Sequence, residues 1–568
     1  MRDANPRKLR PVMNVWDTWS WSKSKQISTR DFKTAYNESL YKCISGIICS
    51  LVHEDKWGIW STVELNGEKH VKIGRDPSIC CRVVEIFPFG KILFASPFLF
   101  CDGEISLKVS TVNMFCNSLV KLSLHTEFEN KVSYINADFQ NSFANMLFNT
   151  LLHKTSPHGE SAIECAHEGH HYYPFPALRV GPNSELVEAC SPVTGHVVQL
   201  PVFAMSDAIF RSQLGLTEAE SRMLWGAGQI IPTERPQLIV HPWQLKLSHV
   251  VQALVSERHL VKVGTIPGIP LASQRTFRLD GTKFDVKLPI NATITGEHRL
   301  IYGKNLRYSQ VTSCIARHSN LRSPFKKLGF QYDTSTLGHR NEIIGQHACM
   351  IVRAPVDAMS GAEIIPAINI FCSPEAFAKF VKCKLSSLDV TQFLERYINV
   401  LIEAGLYAFS KLRLALEPHL QNSIIEIHDG LPVRLIVRDM DSVILDRDHD
   451  YGISEIEAFD ADLSDMPHFS EGGRRLLFSM FFGHLAQVIF CAVKTFGIRD
   501  LFQKDLLDCA WAGVVERLEG DEVFLARQLR QESYFRKDIL TSRIARDMQT
   551  RWSLETNSLD RSFKALSF

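Results

Sequence analysis

The chain has 568 residues, of which 45% are hydrophobic and 22% charged, with 63 Lys and Arg against 62 Asp and Glu. That length accommodates two to four domains at about 150 residues each. The balanced charge excludes bulk attraction to nucleic acid or to an anionic membrane, so any anion site has to be local.

Met1 to Lys25 mixes Arg, Asp, Lys and Trp without an apolar core segment, which argues against a secretory signal and for a cytoplasmic protein. The apolar windows Phe87 to Cys101 and Leu476 to Val493 are broken by Lys91 or by Gly483 and His484, and read as buried core with no membrane span. The 14 cysteines are scattered, with one vicinal pair at Cys80-Cys81 and no C-x-x-C, the distribution of reduced structural thiols. Roughly the first 150 residues alternate amphipathic and aromatic-rich, strand-like stretches and carry no motif with assignable chemistry.

From Ser156 the sequence turns rich in Gly, Pro and His. His167-Glu168-Gly169-His170-His171 has the letters of a zinc peptidase H-E-x-x-H, which requires both histidines on one regular helix. Gly169 inside the motif and Pro174 just after it would end such a helix at once. Thr217-Glu218-Ala219-Glu220 is a capping box that opens a helix.

A hairpin is predicted from Thr276 to Leu288 around Asp280-Gly281. With a three-residue Asp-Gly-Thr loop, Lys287 stands opposite Arg275 on one face, and two facing cations call for an anion such as a triphosphate between them. With a two-residue turn they lie on opposite faces, each solvated. Ser273, Thr276, Thr295 and Arg299 add hydroxyls and a third cation. No G-x-x-x-x-G-K-[ST] is present, and Gly226-Ala227-Gly228 lacks the third glycine of a dinucleotide fingerprint, so a nucleotide would be held by side-chain cations.

From Ser373-Pro374-Glu375, a Ser N-cap with Pro at the first helical position, helical pattern dominates. Boundaries near residues 155 and 355 divide the chain into 1–155, 156–355 and 356–568. The helical part is interrupted by a second hairpin, Ser423 to His428 and Leu431 to Val437 around Asp429-Gly430. Its register sets Asn422 opposite Val437 and one step from Arg438-Asp439. Glu417, His419, Asn422 and Asp439 then form a nest suited to Mg²⁺ carrying a nucleotide phosphate. The alternative is a solvated strand end with an ordinary Asp in a turn.

Taken in order, these segments resemble the IucA/IucC family of NRPS-independent siderophore synthetases. The family's G-H-P-x-H-P-x-x-K-x-R-x-G corresponds to Gly169 through Gly181, with His170 and Arg179 in register and Tyr173 and Ala177 where the family has His and Lys. Its H-P-W-Q matches His241 to Gln244, and its S-x-R-T matches Ser273 to Thr276. Its K-L with T-x-x-x-R matches Lys287, Leu288, Thr295 and Arg299. Its E-x-H-x-Q-N and R-D match Glu417 to Asn422 and Arg438-Asp439. A weaker match, Ser542 to Trp552 followed by Asn557-Ser558, lacks the family's Pro after Asn.

The resemblance implies an α+β fold of three parts likened to a cupped hand, with a β-rich middle part, a helical and β-sheet carboxyl-terminal part carrying the active-site hairpin, and a homodimeric assembly. It implies ATP-dependent adenylation of a carboxylate of citrate or a related polycarboxylic acid. Condensation with an amine or hydroxyl of a polyamine, amino acid or amino alcohol follows, with AMP and pyrophosphate released. Ser273, Arg275, Thr276, Lys287 and Arg299 would bind ATP. Glu417, Asn422 and Asp439 would hold Mg²⁺. Arg299 and His419 would be catalytic, and His170, Arg179, Thr295, Arg299 and His419 would contact substrate. Two other expectations stand beside this one: a phosphotransferase releasing ADP, and a silent paralogue that binds a siderophore precursor without turnover.

Overall fold

The computed structural model describes residues 13–497 apart from 55–58, 88–90, 124–131, 157–162, 165–166, 207–209, 215–217, 227, 232, 323–324, 340, 386–388, 454–462 and 465, together with the strands Ser533–Lys537 and Trp552–Thr556. Thr217 of the predicted capping box lies outside the described residues, although the helix itself is present as Glu218–Gly226. Ser542 to Arg551 and Asn557-Ser558 lie outside them as well.

Buried side chains gather into three main hydrophobic clusters, each built around a different mixture of helix and sheet. In the first, the helix Thr29–Glu54 buries Leu40, Ile44, Ile47, Ile48 and Leu51, an apolar stripe at helical spacing. That stripe meets Phe139, Phe143, Leu147 and Leu151 of the helix Val132–Thr155. The same cluster takes in an antiparallel sheet formed by Trp60–Leu65, Glu68–Ile73, Ser78–Ile86, Leu99–Asp102 and Ile105–Lys108 in that order.

The second cluster lies against the largest sheet among the described residues. Its order is Gln237–Ile239, Val198–Met205, Leu260–Pro270, Thr276–Leu279, Asp285–Lys287, Cys349–Arg353, Asp333–His339 and Phe210–Leu214. Every pairing along it is antiparallel. The third cluster holds the sheet Leu328–Phe330, Leu431–Val437, Ser423–His428 and Glu363–Pro366, covered by the helices Gly303–Arg322 and Val390–Ser410 and the run from Phe469 to Phe496. Helices and mostly antiparallel sheets in separate layers make this an α+β fold.

Both predicted hairpins form, and both differ in register from expectation. In Ser423–His428 and Leu431–Val437 the turn residues Asp429 and Gly430 have φ of 50° and 77°, the left-handed pair of a two-residue hairpin turn. Pro432, which has no amide hydrogen to give the ladder, coincides with an irregularity between Glu426 and Ile427, and Val433 becomes an extra residue. Ser423, not Asn422, therefore faces Val437, and Asn422 faces Arg438, whose amide donates to the Asn422 carbonyl at 3.1 Å. In the other hairpin the loop is Asp280 to Lys283, closed by a Leu279 amide to Phe284 carbonyl bond at 2.9 Å. With four loop residues, Lys287 pairs with Thr276 and Arg275 falls on the other face, which corrects the expected Arg275–Lys287 opposition.

The continuous run Phe469–Phe496 has the length and apolarity to cross a bilayer, with mean hydropathy 2.0 in its best window, yet 83% of that window is buried in the third core. The apolar window Leu476 to Val493, expected as buried core, lies inside this run. The His167 to His171 stretch is a turn, with Gly169 at φ 73°, so no zinc-peptidase helix exists there. Glu168 is instead paired with His167 and Lys42.

Candidate active site

The site lies where the second and third sheets meet. Lys287 ends one strand of the large sheet and Arg353 ends its neighbour, while Asp439 and Asp441 follow the hairpin of the small sheet. Gln331, one residue past the strand Leu328–Phe330, donates its amide to the Val437 carbonyl at 2.9 Å, and Thr312 on the helix Gly303–Arg322 donates its hydroxyl to the Met440 carbonyl at 2.7 Å. These bonds fix the chain on both sides of Asp439, which sits in left-handed backbone at φ 77°. A non-glycine residue there is uncommon and is held by its surroundings.

Lys287 Nζ donates to Asp439 Oδ1 at 2.7 Å and to Asp441 Oδ1 at 2.6 Å. Arg353 donates from Nε to Asp333 Oδ1 at 3.0 Å and from Nη2 to Asp439 Oδ1. The Lys287 and Arg353 side chains are 3% exposed and Asp439 is 21% exposed, so two buried cations hold one partly open carboxylate. Burial alone would raise the Asp439 pKa, but Lys287 and Arg353 outweigh it and hold the carboxyl well below the usual range. Asp333 goes the other way: burial, helped by Asp441 and Asp439 and opposed by Arg353, pushes it up to about 7.

Arg275 leaves its strand end on the opposite side and donates to the carbonyls of Arg299 at 3.3 Å and Leu300 at 3.5 Å. Burial and the nearby Arg299 lower its pKa, while Asp441 and Asp439 act against them. Arg299 donates from Nε to the Ile294 carbonyl at 3.1 Å and from Nη2 to the Thr295 hydroxyl, so the predicted Thr295–Arg299 pair is in contact. Ser273 caps the turn before the hairpin by accepting the Thr276 amide at 3.1 Å.

His241-Pro242-Trp243-Gln244 braces that turn. His241 Nδ1 accepts the Trp243 amide at 2.9 Å, which leaves Nε2 to donate to the Gln274 carbonyl at 3.0 Å. Burial brings the His241 pKa down to about 3, so the ring is the neutral tautomer that this pattern requires. Gln244 accepts the Asn291 amide at 2.6 Å and donates to the His347 carbonyl at 3.0 Å. The motif is thus scaffold for the Ser273 to Thr276 turn.

Glu417 and His419 precede a short turn of helix, Leu420–Asn422. The His419 amide donates to the Glu417 carbonyl at 2.9 Å and the Asn422 amide to the His419 carbonyl at 2.9 Å. Glu417 lies 4.0 Å from Arg475. Arg179 is buried on the helix Val132–Thr155, donating to Asn145 at 3.3 Å and Asn149 at 3.0 Å, which makes it an anchor of the strand Arg179–Val180. That strand pairs with Thr293–Ile294, just before Thr295. His170 is exposed, its ring accepting the Tyr172 amide at 3.2 Å. A Cβ on Gly296 would come within 1.9 Å of the Tyr173 hydroxyl, so this departure from the family pattern sits against the Thr295-Gly296 turn.

Four charged residues of the network escaped sequence reasoning. Asp333, Arg353 and Asp441 are described above. Glu164 accepts the Ala272 amide at 2.9 Å and pairs with Arg438 at 2.5 Å, tying the turn before the first hairpin to the end of the second. Asp441, two residues after Asp439, carried the one usable signal.

Among the described residues no group of three or more His, Cys, Asp or Glu side chains forms a metal site by itself. Mg²⁺ on a nucleotide takes one or two carboxylates and fills the rest of its sphere with phosphate oxygens and water. Asp439, in contact with Lys287, and the side-chain oxygens of Glu417 and Asn422 are the hard donors that this requirement calls for.

Comparison with known proteins finds two family matches and several distant relatives. Residues 161–370 match the model of the IucA / IucC family, and residues 391–500 match that of the ferric iron reductase FhuF-like transporter. Staphyloferrin A synthase of Staphylococcus aureus (strain NCTC 8325 / PS 47) is 21% identical over 257 residues, 42% of this chain and 40% of that protein. The L-2,3-diaminopropanoate–citrate ligase of the same strain is 24% identical over 306 residues, 49% of this chain and 53% of that protein. The matched part thus spans about half the length of these curated relatives. The structure of ATP-bound aerobactin synthetase IucA from a hypervirulent pathotype of Klebsiella pneumoniae superposes with a TM-score of 0.72 at 16% identity, over 91% of this chain and 99% of that one, a likeness of fold.

Proposed function

Residues 161–370 match the model of the IucA / IucC family, and from that premise we propose that the chain is an ATP-dependent siderophore synthetase of the cytoplasm. It adenylates a carboxylate of citrate or a related polycarboxylic acid and passes the acyl group to an amine or hydroxyl nucleophile. The observation that carries this reading is the convergence of Lys287, Arg353 and Asp439 at the junction of two sheets.

Adenylation brings two polyanions together, so fixed cations must offset their repulsion before a carboxylate oxygen can attack the α-phosphorus and expel pyrophosphate. Ser273, Arg275, Thr276 and Lys287 bind the phosphates. Lys287 is held by Asp439 and Asp441, and a triphosphate offers it a replacement for those carboxylates. Glu417, Asn422 and Asp439 would hold Mg²⁺, which when bound neutralises phosphate charge. Arg299, beside Thr295, orients the acid carboxylate toward the α-phosphate. His419 stabilises charge between them and takes the proton of the incoming amine when it attacks the acyl carbon and AMP leaves.

The second reading, a silent paralogue that binds a siderophore precursor without turnover, is favoured by Ala177, buried where the family has a cationic Lys. A ferric reductase, the activity named in the other family match, is disfavoured because residues 391–500 contain one cysteine, Cys491, whose buried thiol is pushed up to about 12.

The deciding experiment measures pyrophosphate release with ATP, Mg²⁺ and a panel of polycarboxylates, with and without hydroxylamine as acceptor. Acid-dependent release, lost in Arg299→Ala and Asp439→Ala, is the expected result. ADP in place of pyrophosphate would mean a phosphotransferase. ATP binding with no release for any acid would mean the silent paralogue.

A further inference from the structure

The helical run from Phe469 to Phe496 is interrupted at Phe481–Leu485 by a π-helical turn. Such a turn carries an extra residue, is rarely kept without a reason, and concentrates at functional sites. Here the widened turn presents His484, which is wholly buried, toward the chain segment that carries His419.

His484 Nδ1 lies 2.7 Å from the Pro418 carbonyl oxygen and Nε2 lies 2.6 Å from the Tyr397 hydroxyl. A carbonyl can only accept, so Nδ1 carries the proton. Burial, with His419 nearby and the Pro418 bond opposing, brings the ring down to about pKa 4, so it is neutral. Nε2 then has a free lone pair and the Tyr397 hydroxyl donates to it. Every polar atom of the pair is satisfied in one arrangement only, which makes it rigid. Tyr397 is itself fully buried on the helix Val390–Ser410.

Gly483, in the same π turn, meets His419 from a second direction. A Cβ built on Gly483 would stand 3.0 Å from the His419 Cβ, so this position admits nothing larger than glycine without displacing His419. Pro418 restricts the backbone just before His419, and its carbonyl is the peptide oxygen that joins it to His419. Fixing that oxygen fixes the peptide plane from which the His419 side chain projects.

We propose that Tyr397, His484 and Gly483 form a positioning device for His419, in which the Tyr397–His484 pair clamps the Pro418 carbonyl and Gly483 lets the π turn close against His419. It rests on the reading above, in which His419 works beside ATP. None of the three touches substrate. They act through the Pro418–His419 peptide.

The test uses the full chain labelled with ¹⁵N-histidine, alongside steady-state pyrophosphate release. In the wild type, His484 is expected as the Nδ1–H tautomer, and Tyr397→Phe and Gly483→Ala should each move the His419 ring signals. Those variants should lower kcat about tenfold while the KM for ATP stays within about twofold, since geometry at the reacting centre is lost without phosphate contacts. His484→Asn, which keeps an N–H near the δ position, should retain most of the activity that His484→Leu loses. An Nε2–H tautomer, unmoved His419 signals in both variants, or equal activity of the Asn and Leu variants would overturn the proposal. If the wild type releases no pyrophosphate with any acid, the synthetase reading fails, and the His419 signals still decide whether the device exists.

Discussion

Lys287 holds two carboxylates apart in a place almost closed to water, and that makes it the residue whose loss the apo protein should feel most. Removing it leaves Asp439 and Asp441 facing a buried gap with Arg353 and the more distant Arg275 as counter-charge. Breaking a buried ion pair from one side costs about 3–5 kcal/mol, because the surviving charge stays desolvated. Lys287→Met is therefore expected to lower the unfolding free energy by about that much, and adding Asp441→Asn should restore more than 1 kcal/mol of it. Denaturant unfolding of the two single variants and the double variant closes the cycle, and additive effects would mean that Asp441 does not share Lys287. At this scale the sequence exposes residues whose neighbours in the chain announce them. Lys287 and Asp439 stand in short motifs, whereas Asp333, Arg353 and Glu164 are isolated charges whose partners lie 20, 86 and 274 residues away.

The hairpin that carries Asn422 and Asp439 at its base has its turn at the other end, and the two ends should respond differently to mutation. Gly430 has φ 77°, where a side chain costs about 1–2 kcal/mol. Gly430→Ala should therefore cost about 1 kcal/mol of stability. Six residues of strand at about 3.3 Å each separate the turn from Asn422, so the KM for ATP and kcat should stay within about twofold. A calorimetric scan with parallel kinetics checks both, and a large loss of activity would mean that the hairpin transmits strain along its length. Asp-Gly between β-branched runs made both hairpins legible, because that dipeptide favours the left-handed turn backbone. The registers were not legible. Nothing local distinguishes a four-residue loop at Asp280 to Lys283 from a three-residue one, and the bulge at Val433 depends on how Pro432 meets the neighbouring strand. The π turn at Phe481–Leu485 was equally hidden, since a single inserted residue barely disturbs an apolar helical pattern.

Four histidines are kept neutral by removal from water, His241 and His484 fully buried and His171 and His347 partly so. Burial brings His171 and His241 down to about 3 and His347 and His484 down to about 4, with Lys91, His170 and Lys42 adding to the effect on His171 and Glu168 opposing it. Each has a folded pKa below the unfolded value of about 6.5. The stability each confers is therefore present above pH 6.5 and lost as pH falls toward its folded pKa, because the unfolded chain takes up the proton first. Asp333 acts in the opposite sense. Its folded pKa of about 7 lies above the unfolded 3.8, so near pH 5 the folded protein keeps one proton that the unfolded chain has lost. Four protons gained by unfolding set against this one leave a net uptake of about three, a slope of about 4 kcal/mol per pH unit, and His298 and His339, also lowered by burial, act in the same sense. The protein should accordingly hold near pH 7 and lose stability steeply between pH 6 and 5, well above the range where ordinary carboxylates titrate. His171 also sits beside a seam, since the adjacent Tyr172 ring packs on Phe478 and Phe482 of the third core at 5.2 and 5.5 Å. Chemical unfolding at pH 7, 6, 5.5 and 5 measures the slope directly. His171→Asn should reduce it by about one proton, whereas a slope of less than one proton in the wild type would mean that the histidines are hydrated and titrate alike in both states.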